Sequence, residues 1–96
     1  MSTPFITLDE LQIALEERDR LKIASTNYWL EDFKKMVLQD IRTGKSAFRM
    51  DLDIARIDLD TVLYRLQTVP YFTDVEAVSS KGGKIVTAKL ALSRIR

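Results

Sequence analysis

Apolar side chains recur every three to four residues in two N-terminal segments, which predicts two amphipathic helices. Thr7 and Glu10 have the spacing of a capping box, so the first helix is expected to begin there. Ser25-Thr26-Asn27 consists of cap-forming residues and predicts a break before the second helix. The first helix carries its apolar surface on Leu8, Leu11, Ala14, Leu15 and Ile23.

The second helix is predicted from about Tyr28 to Arg42. Gly44 follows it as a residue typical of the position after a helix. Its apolar face is broad, because flanking side chains widen the central stripe. The stripe consists of Leu30, Phe33, Val37 and Ile41, with Trp29, Met36 and Leu38 beside it.

The apolar period changes from about 3.6 to 2 over residues 47–54, which predicts a strand with one buried face. Asp58 then has the character of an N-cap and opens a third helix, which Pro70 stops. The inward side chains of the strand are Phe48, Met50, Leu52 and Ile54, and those of the helix are Leu59, Val62, Leu63 and Leu66.

A β-hairpin is predicted around Gly82-Gly83, taken as a two-residue loop between Lys81 and Lys84. Counting outward from that loop places Ala77 opposite Ala88 and Glu76 opposite Lys89. This register collects the apolar side chains on one face and pairs opposite charges on the other.

These elements predict an α+β fold with two N-terminal helices followed by strand, helix, strand and strand. The three strands are expected to form one sheet with the helices on its apolar face. Residues 1–96 are expected to form a single domain, in which residues 28–92 are the compact core. Residues 1–26 form a charged helix that is a candidate interaction element.

The stretch from Tyr28 to Leu92 resembles small α+β modules found in phage and large-virus proteins. The shared features are a helix ending before Gly44, the alternating strand Phe48 to Ile54, the Asp58-capped helix and the tight hairpin. The resemblance implies an accessory or structural role of the phage type. The same stretch also resembles a winged helix, although Leu52 to Ile57 is too short and too strand-like for a full second helix.

Composition removes most catalytic chemistry from consideration. The chain contains no cysteine and no histidine, so thiolate sites and the commonest general base are excluded. Asp51 and Asp53 share one side of the predicted strand, but outward alternation explains them and no third ligand accompanies them. We therefore expect no enzymatic activity, no metal and no cofactor.

The basic residues favour nucleic acid as a second partner class. Residues 81–96 carry five basic side chains and no acidic one, whereas residues 1–40 carry eight acids and five bases. A basic hairpin tip and C-terminal tail could contact phosphates, although lysines also protect an exposed strand edge. The candidate contacts are Lys81, Lys84, Lys89, Arg94 and Arg96.

The leading hypothesis is a non-enzymatic protein that docks on another protein or on copies of itself. Its support is more apolar helix surface than one small sheet covers. Candidate interface residues are Leu15, Ile23, Trp29 and Met36. The chain start lacks the pattern of a secretory signal and no apolar run is long enough for a membrane span, so we expect a cytoplasmic protein, in a host or a virion if phage-encoded. No small-molecule substrate is indicated.

Overall fold

The fold is α+β, as the sequence predicts, and a computed structural model describes it for residues 4–95. Its elements are helix α1 (Leu8–Arg42), strand β1 (Ala47–Leu52), helix α2 (Leu59–Gln67), strands β2 (Phe72–Ser80) and β3 (Gly83–Leu90), and a short 3-10 turn (Leu92–Arg94).

The strand order in the sheet is β1-β3-β2, and both outer strands run antiparallel to β3. β1 and β2 are therefore parallel to each other on either side of β3, and α2 connects them. Both helices pack on one face of this sheet, with α1 against β1 and α2 against β2. The core is built from Trp29, Phe33, Val37, Phe48, Leu52, Val62, Leu66, Val86 and Ala88.

The prediction of two N-terminal helices is wrong, because α1 is a single helix of 35 residues. The capping box between Thr7 and Glu10 at its start is confirmed. Ser25-Thr26-Asn27 does not break the helix. The hydroxyl of Thr26 donates to the Lys22 carbonyl at 2.7 Å, one turn back, and the side chain is buried. Thr26 thus lies inside a continuous helix and uses its side chain in contacts with the rest of the fold.

Strand β1 ends at Leu52, two residues before the predicted end at Ile54. Asp53 accounts for the difference, because its Oδ1 accepts the Ala55 backbone N–H at 3.0 Å. Its carbonyl also accepts the N–H groups of Arg56 and Ile57. An aspartate that satisfies the following backbone in this way starts a turn and stops the strand.

The hairpin lies where it was predicted, but its register is shifted by two residues. Ser80 pairs with Gly83, so the loop is Lys81-Gly82 and Ala77 lies opposite Val86. Gly82 takes the positive φ of +81° that the turn requires. Gly83 is in the strand, where a Cβ atom would collide with the Leu52 carbonyl oxygen of β1. A shift of two preserves the faces, so the apolar face was assigned correctly.

β2 also contains a β-bulge next to the predicted Glu76–Lys89 pair. The register slips between Thr73 and Glu76, and Asp74 takes a positive φ of +53°. Glu76 lies opposite Thr87 because of the shifted hairpin register. Beyond the bulge Lys89 lies opposite Thr73, and its side chain forms an ion pair with Asp74 at 3.7 Å. The extra residue lets both Phe72 and Val75 pack against the core, although alternation would separate them.

Candidate protein-interaction surface

The N-terminal half of α1 extends away from the rest of the fold. We call residues 8–25 the arm. Every residue from 8 to 21 is exposed, and the molecule measures 71 × 25 × 19 Å as a result. The arm nevertheless exposes large apolar side chains: Leu8, Leu11, Ile13, Leu15, Leu21 and Ile23. Such an accumulation on a free helix is typical of a surface that a partner covers.

The arm repeats the pattern of the part of α1 that is packed on the core. Eighteen residues are five full turns of a helix, so positions eighteen apart point in the same direction. Leu8, Leu11 and Leu15 therefore point in the same direction as Thr26, Trp29 and Phe33. The latter three are buried, at 2–6% exposed, whereas Leu8 is 69% and Leu11 and Leu15 are both 48% exposed. The three leucines form what we call the arm stripe.

Two side-chain contacts mark the point where α1 meets the core. The Thr26 hydroxyl accepts the backbone N–H of Asp58, the N-cap residue of α2, at 2.9 Å. The indole N–H of Trp29 donates to the carbonyl of Asp51 in β1 at 2.8 Å. These bonds hold α1 to the loop before α2 and to the edge strand. They define the direction in which the arm projects.

Asp58 carries a perturbed carboxyl at this junction. The Thr61 hydroxyl donates to its Oδ2 at 2.6 Å and holds the pKa of that carboxyl below its ordinary value, and the positive charge of Lys22 acts in the same direction. The N-terminus of α2 favours the charged form as well. The ionised carboxylate therefore stabilises the folded state, even though the side chain is only partly buried.

Asp58→Asn is accordingly expected to lower stability at pH 7 but not in acid. A carboxyl whose pKa is lowered by folding stabilises the protein above its unfolded pKa of about 4, and this stabilisation is lost as pH falls through the folded value. Urea unfolding followed by Trp29 fluorescence at pH 7, 5 and 3 would measure the difference from the native chain. A difference that stays constant with pH would contradict the assignment, and Thr61→Val should reduce the native chain's pH dependence.

A groove beside the docked half of α1 is the most apolar concavity described. It has a volume of about 430 Å³ and lies between α1, the end of α2 and the start of β2. We call it the side groove. Its exposed apolar walls are Leu38, Ile41, Tyr71 and Ile95, over a floor that includes Phe33 and Phe72. Lys34 and Arg65 stand on its two helical walls, with Glu31 as the one acidic lining residue.

The predicted interface residues fall into two groups. Leu15 and Ile23 are exposed on the arm. Trp29 is only 6% exposed and stacks on Phe33 with ring centroids 5.1 Å apart, so it belongs to the core and not to an exposed surface. Met36 is half-buried and packs against the same core. Sequence reasoning did not identify the side groove, because its walls come from segments distant in the chain.

The predicted nucleic-acid contacts do not form one patch in the part of the chain described. Lys81 and Lys84 lie at the hairpin tip, close to Asp51 and Asp53 in one concavity, and Lys84 donates to Ser79 Oγ at 2.9 Å. Lys89 lies at the other end of β3, roughly 20 Å away by strand rise. The remaining two are Arg94, which donates to the Pro70 carbonyl at 3.0 Å, and Arg96, which lies outside the described residues.

Asp51 near the end of β1 and Asp53 just after the strand have separate structural contacts. Among residues 4–95, no three acidic side chains come together in a group able to hold an ion. Asp53 instead accepts from the Ala55 backbone and lies 3.9 Å from the Arg56 guanidinium, as expected of a turn residue. Asp51 is exposed and contributes its carbonyl to Trp29.

Comparisons with known proteins give no match to a family model, to a characterised protein or to a solved structure. Within residues 4–95, each helix is too short or too polar to cross a lipid bilayer.

Proposed function

We propose that this chain is a non-enzymatic interaction or assembly protein whose α1 arm is the docking element. The observation that carries the proposal is the arm stripe. The stripe lies on the same side of α1 as the buried residues of that helix, but beyond the core, so Leu8, Leu11 and Leu15 are about half exposed or more. A helix face of this kind is recognised through residues at i, i+3 and i+7 by an apolar groove.

The helix start supports a defined role for the arm. The capping box at Thr7 satisfies two backbone donors at the end of α1 farthest from the core, with Thr7 Oγ1 accepting from the Glu10 N–H at 3.2 Å. A cap of this type stabilises a helix by about 1 kcal/mol. The sequence thus specifies a helical arm and a helix start about five turns before Thr26, where α1 meets the core.

Burial of the arm stripe would supply the binding free energy. Full burial of a leucine side chain contributes roughly 1.5–3 kcal/mol, and each stripe leucine is about half exposed or more. Because the arm is already helical and is held at Thr26, little ordering entropy opposes binding. Three such side chains are enough for a specific contact of moderate strength.

Paired arm variants would test this function. Leu11→Glu with Leu15→Glu places charge on the arm stripe, and we expect loss of proteins captured by the tagged full chain from its source cells. Ile13→Glu with Leu21→Glu is the matched control, because these residues are 55% and 67% exposed but point away from the stripe. Quantitative mass spectrometry of the captured proteins is the measurement.

Both double variants should keep the urea midpoint of the native chain, since all four positions are exposed. Equal capture by the stripe variant and by the control, or no enriched protein with the native chain, would contradict the proposal. The viral setting, the cytoplasmic location and the nucleic-acid alternative stay predictions from the sequence.

A further inference from the structure

The structure contains an arm with an uncovered apolar face and a groove with uncovered apolar walls. We infer that the arm of one copy docks in the side groove of a second copy, so that the chain forms a reciprocal dimer. This inference rests on the proposed function of the arm and names its partner.

Charge complementarity favours this occupant. The arm carries five acidic and three basic side chains, and its first ten residues carry Asp9, Glu10, Glu16 and Glu17 with no base. The side groove carries Lys34 on α1 and Arg65 on α2, against the single acid Glu31. An arm with a net negative charge and a groove lining with a net positive charge attract each other, whereas two arms repel each other.

The arm cannot reach the groove of its own chain. The arm stripe and the groove residue Leu38 are separated by more than twenty residues of one continuous helix, roughly 35 Å of rise. Folding the arm back would require α1 to open near Thr26. That residue is buried, donates to the Lys22 carbonyl and accepts from the Asp58 N–H, so an opening there would break both bonds. An arm that docks in this groove must therefore belong to another chain.

The expected contact area favours reciprocal docking. A helix segment of twelve residues is about 18 Å long and about 10 Å wide, so half of its surface is roughly 300 Å². Each docked arm also covers a similar area of the groove. The two docked arms of a dimer therefore remove roughly 1,200 Å² of surface from water in total. That is the lower limit of specific interfaces, about 1,200–2,000 Å², whereas one arm alone would remain in the range of non-specific contacts. Dimers in the micromolar range are therefore expected.

Sedimentation equilibrium of the full chain from about 1 to about 500 µM would test the dimer. The expected result is a reversible transition from the monomer mass of 11.1 kDa to twice that value. Leu11→Glu with Leu15→Glu on the arm and Leu38→Glu with Ile41→Glu in the groove should each weaken dimerisation at least tenfold. Ile13→Gln with Leu21→Gln, which removes exposed apolar side chains that point away from the stripe without adding charge, should leave dimerisation unchanged.

Charge exchange identifies the arm and the groove as each other's partners. Asp9→Lys with Glu16→Lys makes the arm basic, and Lys34→Glu with Arg65→Glu makes the groove acidic. Each double variant alone should dimerise about tenfold more weakly than the native chain, because like charges then meet. An equimolar mixture should recover to within about threefold of the native chain, since both contacts of the mixed dimer are again complementary.

A monomer at every concentration would overturn the inference. So would a dimer whose affinity the groove variants do not change, or a mixture of the charge variants that dimerises no more strongly than each variant alone. The proposed function would survive a monomeric result if Leu11→Glu with Leu15→Glu still abolished capture of a different protein. The dimer inference and the proposed function would both be wrong if the arm variants changed neither the sedimentation mass nor the set of captured proteins.

Discussion

Phe33→Ala is expected to lower the free energy of unfolding by about 3–5 kcal/mol. Phe33 is 2% exposed, stacks on Trp29 and reaches the floor of the side groove. Its removal leaves a cavity where α1 meets the sheet and α2. Since a domain of this size is stable by only about 5–15 kcal/mol, the variant should unfold at a much lower urea concentration.

Urea unfolding of Phe33→Ala can be followed by the fluorescence of Trp29, the chain's only tryptophan, with far-UV circular dichroism as the independent probe. Tyr28→Ala is the matched control, because it removes an aromatic ring that is 75% exposed on the same helix. We expect it to change stability by less than about 0.5 kcal/mol. Similar midpoints for the two variants would show that α1 does not pack as described.

Thr26→Val is the second large effect, at about 1–3 kcal/mol. Valine keeps the shape of threonine but cannot accept the Asp58 backbone N–H, which then loses its partner beside a buried site. The junction between α1 and α2 depends on this bond, so amide hydrogen exchange should rise at the start of α2. Urea midpoints and exchange rates are the measurements.

Thr26→Ser is the control for that prediction, because serine retains the hydroxyl and loses only one methyl group. It should cost about 0.8 kcal/mol through lost burial, while exchange at Asp58 stays slow. If the valine variant is as stable as the native chain and the serine variant is not, the methyl group and not the hydrogen bond secures the junction.

Local patterns were reliable where one short segment determines its own structure. The capping box at Thr7 is confirmed, because a capping box acts within a single turn, and α2 begins after Asp58 as predicted. The inward face of β1, with Phe48 and Leu52 buried, follows from alternation alone. The position of the hairpin was also correct, since glycine pairs restrict where a chain can reverse.

Thr26 shows where local patterns mislead. Ser25-Thr26-Asn27 has the composition of a cap, but a threonine inside a helix can bond to the carbonyl one turn back and still accept from another segment. The segment that supplies the second bond, at Asp58, is 32 residues away. No local signal distinguishes the two cases. The eighteen-residue repeat of the arm stripe was, however, present in the sequence and would have indicated a continuous helix.

The sequence by itself therefore determined the α+β class, the apolar faces of β1 and β3, the two outer ends of α1 and the start of α2, because propensity, capping and alternation act over a few residues. Tertiary structure decided the continuity of α1 through Thr26, the bulge at Asp74, the β1-β3-β2 order and the side groove. Each of these depends on contacts between distant segments. The leucines of the arm depend on both. The sequence determines their spacing, whereas their exposure follows from the tertiary structure, because the sheet and α2 do not extend beside the arm.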